Sequence, residues 1–244
     1  MTQVLGEVSY TSLTHDFVQT VSSTKDGAEV AIILIGSVAR STQTSNSDLD
    51  LLLVGGRVPQ ITRNPDRLHV QALTTKQFEE RLRAGDDFAA WCVRYGVPLV
   101  NSSDWLRIVG SPEASIWPDW RKKVRHAARR LTIAASLLET GDIPAAWEEM
   151  LYAASHTARA ILLKNSAFPL SRPEIISQLR EVKCEYLAKL LQELSYEEAT
   201  KLTLDRGVMY IKRLLVSLDR TAYEEFVHKR KQNARAKSKV RASR

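Results

Sequence analysis

Hydrophobic positions in the first hundred residues fall into short continuous runs, and in the second hundred into spaced stripes. "EVAIILI" (29–35) and "LDLLLV" (49–54) are unbroken β-branched and leucine runs, the pattern of strands covered on both faces. "RLHVQAL" (67–73) alternates instead, with Leu68, Val70 and Ala72 on one face and His69 and Gln71 on the other. Residues 10–24 read as a helix ahead of these strands, with Asp26-Gly27 as a turn and "STQTSNS" (41–47) as loop chemistry. Thr74 and Gln77 spell a capping box for a helix through Leu82, and Asp86 or Asp87 caps "FAAWCVRYG", which Gly96 ends.

From about residue 111 the spacing is helical throughout. Val124, Ala127, Leu131, Ala134 and Leu138 recur every three or four residues up to Gly141. Asp142 opens a second stripe of Trp147, Leu151, Ala154, Ala158, Ile161 and Leu162. Ser171 with Glu174 is a further capping box, with Pro173 in the first turn, and "SYEE" (195–198) suggests the same device before a long final helix. The expected fold class is therefore α+β, a mixed sheet flanked by helices and followed by an all-α helical bundle. The expected domains are 1–110 and 111–227, with the seam in "GSPEASIWPDW" (110–120) and a basic, disordered tail at 228–244.

Composition changes this picture little: 44% hydrophobic and 26% charged residues are ordinary for a globular chain. The net charge of +7 is concentrated at one end. Eight of the 35 basic residues lie after Glu225 and none of the 28 acidic ones do, which leaves the body near neutral. Such a tail can contact nucleic acid through phosphates, or act only as a solubilising end. Cys92 and Cys184 stand far apart with no CxxC spacing, which points to a reducing compartment and no structural metal site. "MTQVLGEVSYTS" lacks the features of a secretory signal, and Val30–Ile35 is too short to span a bilayer. The expectation is a cytoplasmic protein with no membrane partner.

The chemistry lies in "LIGSVARSTQTSNSDLDLLLV" (34–54). Residues two apart on a strand face the same side about 6.5–7 Å apart, so Asp48 and Asp50 converge while Leu49 and Leu51 pack on the other face. Two carboxylates this close repel, and a divalent cation relieves the repulsion. Mg²⁺ (or Mn²⁺) suits the pair, since Mg²⁺ is commonly held by one or two carboxylates plus substrate phosphates. Gly36 and Ser37 break the preceding strand where backbone can approach a phosphate closely, and Arg40 adds a charge-assisted donor.

This stretch resembles the DNA polymerase β-type nucleotidyltransferase superfamily, whose signature is an apolar residue, Gly-Ser, about ten residues and Asp-x-Asp within a strand. Ile35, Gly36, Ser37, Asp48, Leu49 and Asp50 supply it, and "GSVARS…SDLD" is closest to the small prokaryotic (minimal) branch. The resemblance implies Asp48 and Asp50 as catalytic metal ligands and Gly36, Ser37, Arg40 and Ser47 as the nucleotide-binding set. It implies an NTP as partner, ATP being the expected donor, and transfer of a nucleoside monophosphate to a hydroxyl of a protein, an RNA end or a small molecule. Two positions depart from it. Ser41 stands where glycine often follows the arginine. The strand expected to carry a third carboxylate offers His69 and Gln71, so His69 is the candidate base or third ligand, with Asp66 just upstream. That departure keeps a second reading open, a nucleotide-sensing module with weak or no turnover.

The helical half, above all residues 146–179, is similar to the C-terminal domains of aminoglycoside nucleotidyltransferases and to the HEPN fold. Arg121 and His126 have the Arg-x4-6-His spacing of HEPN ribonucleases, although they lie within a run of basic residues that also reads as a solvated face. His156, Trp91, Trp105, Trp147 and Tyr152 read as packing residues.

Overall fold

The computed structural model describes residues 4–5, 8–23, 29–43, 47–56, 67–198, 200–221 and 223. The Asp26-Gly27 turn, Asp66 and the basic tail lie outside the described residues. Chain contacts divide the protein into two units, residues 1–118 and 119–244.

In the first unit a two-residue pair, β1 (Val4–Leu5) and β2 (Val8–Ser9), leads into helix α1 (Tyr10–Ser22). Strand β3 (Ala31–Ile35) runs into a single helical turn, α2 (Gly36–Ala39). Strands β4 (Leu49–Gly55) and β5 (Leu68–Thr74) precede helices α3 (Thr75–Arg83) and α4 (Asp87–Tyr95). Strand β6 (Val97–Val100), helix α5 (Ser103–Val109) and a 3₁₀ turn at Pro112–Ser115 complete the unit.

The sheet is mixed, in the order β5-β4-β3-β6. β3 is antiparallel to both β4 and β6, and β5 runs parallel to β4. Leu49, Leu51 and Leu53 are fully buried on one face with Ile32, Leu68 and the α1 residues Phe17 and Val21. The leucine alternation on β4 therefore commits Asp50, by parity, to the opposite face, where α3, α4 and α5 pack. The capping residues act locally as their chemistry requires. Thr74 Oγ1 accepts from Gln77 N at 3.2 Å while Gln77 Oε1 accepts from Thr74 N at 2.9 Å, and Asp86 caps α4 through Ala89 N.

Two details differ from the sequence expectation. β6 and α5 carry no clear sequence signal, β6 because "VPLV" is short and carries Pro98; it is an edge strand, where a proline costs no ladder bond. On β5 it is Leu73 that is buried and Ala72 that is exposed, so the simple alternation fails in the second half of the strand. Ser41, at the end of the α2 turn, has φ +57°. This left-handed backbone accounts for the glycine preference at that position. Ser41→Gly is expected to stabilise the protein by up to about 1 kcal/mol, checked by thermal melting.

The second unit is helical among its described residues. α6 (Trp120–Thr140) and α7 (Ile143–Lys164) are joined by a tight turn at Gly141, φ +83°, with Asp142 capping α7 through Ala145 N. α8 (Arg172–Glu181), α9 (Glu185–Tyr196) and α10 (Lys201–Leu218) follow. The core is formed by Val124, Leu131, Met150, Leu162, Leu179, Leu191, Leu204, Ile211 and Leu215, all buried. Glu174 accepts from both the N–H and the hydroxyl of Ser171 at the start of α8.

"SYEE" does not open the last helix. Buried Leu194 keeps α9 helical through Tyr196, the Ser195 hydroxyl donates to the Leu191 carbonyl inside it, and Thr200 caps α10 through Thr203 N. The Trp147 indole N–H donates to the Leu194 carbonyl at 3.0 Å. Trp147→Phe should cost about 1–2 kcal/mol by stranding that carbonyl, read as a lower denaturation midpoint.

Candidate active site

The strand registers bring the candidate residues to one end of the sheet. Asp50, second residue of β4, pairs with Ile35, the last residue of β3, and on its other side with His69 of β5. Asp48 stands just before β4. His69 lies between the two acids, its Nε2 3.9 Å from Asp48 Oδ2 and its Nδ1 3.8 Å from Asp50 Oδ1. The imidazole is 71% exposed and the carboxylates 41% and 37%, so this is an open cleft edge and not a buried ion network.

The residue after Ile35 is Gly36, at φ +75°. A Cβ there would lie 2.2 Å from Asp50 Oδ2. Both the left-handed backbone and the lack of a side chain are therefore required for the β3 end to lie against the Asp50 carboxylate. The turn that follows is closed on the Ser37 carbonyl, which accepts from Arg40 N at 3.2 Å and Thr42 N at 3.0 Å. Leu49 N donates to the Arg67 carbonyl at 2.8 Å, tying the heads of β4 and β5 together beneath the acids.

Burial raises the Asp50 carboxyl above its ordinary value; His69 opposes this and Asp48 adds a smaller upward push. An acid raised by desolvation and a like charge is relieved by a cation. Among the described residues no group of three or more His, Cys, Asp or Glu is arranged to hold a metal by itself. The donor set is two carboxylates with an open side, which fits Mg²⁺ held jointly with substrate phosphates better than a caged ion.

Arg40 follows the α2 turn with its guanidinium 5.0 Å from the centroid of the Tyr95 ring. Tyr95 is a site neighbour that the sequence reading missed. Ser47 is half-buried one residue before Asp48. Asp48, Asp50, His69 and Gly36 are thus brought together, and Ser37 and Arg40 belong to the adjoining turn. Residues 17–89 match the family model of the nucleotidyltransferase domain. This span contains every residue of the site just described except Tyr95. A solved nucleotidyltransferase-like protein from Exiguobacterium sibiricum is similar at 17% identity, over 88% of this chain and 78% of its own, with a TM-score of 0.45. No curated protein matches.

Outside residues 17–89, Arg121 is engaged by Asp219 at 3.1 Å and stacks on Trp120, while the His126 ring meets His156 edge-on at 5.4 Å. Trp91 and Trp105 are buried, and the Arg130 guanidinium lies over the Tyr152 ring at 4.8 Å. Cys92 is buried and Cys184 half-buried, and both are free thiols. No helix among the described residues is long and apolar enough to cross a membrane.

Proposed function

We propose that the first unit transfers a nucleoside monophosphate from an NTP, with ATP the expected donor, to an acceptor hydroxyl. The observation that carries this reading is the Asp50 carboxylate lying against a glycine that no other residue can replace without displacing it. A phosphate-binding bend and two hard oxygen ligands are thereby adjacent. Asp48 and Asp50 would hold Mg²⁺ (or Mn²⁺), which when bound supplies charge neutralisation for the phosphates. Gly36, Ser37, Ser47 and Arg40 would fix the triphosphate, so that the acceptor oxygen forms its bond to the α-phosphorus as the bond to pyrophosphate breaks. His69, exposed and between the acids, would take the hydroxyl proton. Positioning and charge complementarity supply the acceleration, and no covalent intermediate with the protein is involved.

A second reading, a nucleotide-sensing module without turnover, is favoured by one observation: the β5 position opposite Asp50 carries His69 and not an acid. Incubating the protein with labelled ATP and Mg²⁺ and a panel of acceptors (protein, RNA, aminoglycoside) separates the two. Label transfer that is lost in Asp48→Ala/Asp50→Ala supports the enzyme. Nucleotide binding without transfer to any acceptor supports the module.

A further inference from the structure

The four strand ends at the site are not equivalent. His69 and Asp50 occupy the ends of β5 and β4, and Gly36 leaves the end of β3. Beyond it on the same sheet edge comes β6, whose first residue Val97 pairs with Leu34. The chain reaches β6 directly from α4 through Gly96. A Cβ at Gly96 would lie 2.4 Å from the Cys92 carbonyl and 2.7 Å from Ile33 Cγ2, so glycine alone allows so tight a passage against β3. Tyr95, the last residue of α4, is thereby fixed next to the α2 turn.

The Tyr95 ring is itself held, 5.5 Å from the ring of Trp91 at an interplanar angle of 52°, and Trp91 is buried. The Tyr95 ring also carries the Arg40 guanidinium, 5.0 Å from its centroid. A buried indole, a tyrosine ring tilted against it and a guanidinium thus follow one another from the core to the α2 turn.

We propose that Tyr95 is a positioning residue of the nucleotide site, its ring holding the Arg40 guanidinium beside the Gly36-Ser37 turn so that the triphosphate meets an already oriented cation. The inference rests on the transfer reading above. Its physical basis is that a free arginine loses much rotamer freedom on binding a phosphate, whereas a stacked one has already lost it.

The test is titration of the full-length protein with ATP in the presence of Mg²⁺. Tyr95→Met keeps bulk and loses the aromatic face, and Tyr95→Phe keeps the face and loses the hydroxyl. Tyr95→Met should weaken ATP binding about five- to tenfold, Tyr95→Phe should stay within about twofold, and Tyr95→Met should have no further effect in an Arg40→Ala background. Unchanged affinity in Tyr95→Met, or an undiminished loss in the Arg40→Ala background, overturns the proposal while leaving the transfer reading intact. Failure of the wild-type protein to bind ATP with Mg²⁺ overturns both. If Tyr95→Met melts below the assay temperature, Tyr95→Leu, titrated at a temperature where it is folded, decides instead: a similar loss supports the proposal and unchanged affinity refutes it.

Discussion

Replacing Asp50 by asparagine is expected to abolish nucleotidyl transfer and yet raise the melting temperature of the metal-free protein. The loss should be roughly 10³-fold or more, because the side chain proposed to neutralise developing charge loses its own charge. The gain in stability has a separate origin. Burial raises the Asp50 carboxyl, so the folded state holds that proton more tightly than the unfolded one. Its stabilisation is present below the unfolded carboxylate value and lost as pH rises through the folded value, so at neutral pH the ionised group is a burden on the fold. Asparagine removes the burden. Because the carboxylate is 37% exposed, solvent screening keeps the gain below about 1 kcal/mol, a shift of a few degrees. The difference between variant and wild type should grow as pH rises above the unfolded carboxylate value, level off above the folded one, and disappear when Mg²⁺ and nucleotide are added. Melting curves over that range check the sign. A variant less stable than wild type throughout would mean that the acid is held by protein groups.

Gly36→Ala is the second substitution with a large expected effect. It meets two obstacles at once, a left-handed backbone at φ +75° and a contact of 2.2 Å with Asp50 Oδ2. Each costs of order 1–2 kcal/mol, and relief of the contact displaces the proposed metal ligand. Stability should fall by about 2–4 kcal/mol and transfer should drop to background. The two contributions are separable. Adding Asp50→Ala removes the atom that the methyl group strikes, so the double variant should recover roughly half the lost stability and no activity. Additive stability losses, measured by denaturant unfolding, would show that the Gly36–Asp50 approach is unimportant.

The portion of this site legible in the sequence is the portion that is local. Gly36-Ser37 and Asp48-x-Asp50 are legible because one turn and one strand end fix their spacing, and residue alternation alone assigns the leucines and the acids to opposite faces. His69 is legible for the same reason, since Leu68 sets the parity of β5 and the parallel register then brings the imidazole opposite Asp50. Tyr95 is not legible. It lies 55 positions after Arg40, and their approach depends on β6 pairing with β3, a strand whose sequence "VPLV" looks like loop. The "SYEE" motif misleads for a related reason. A capping box is a local signal, and the burial of Leu194 in the helical core overrides it. The left-handed backbone at Ser41 is likewise set by the turn closing on the Ser37 carbonyl and carries no signature in the serine itself.

The proposed transfer depends on Asp48 and Asp50 forming a cation site that a nucleotide completes. Titrating Mn²⁺ into the protein and following the free ion by electron paramagnetic resonance tests this directly, with and without ATP. Wild-type protein should take up Mn²⁺ weakly alone and at least about tenfold more tightly with ATP, beyond what ATP binds by itself, as expected for an ion held by two carboxylates and phosphates together. The Asp48→Asn/Asp50→Asn variant should lose that increment. Equal uptake by variant and wild type in the presence of ATP would contradict the account.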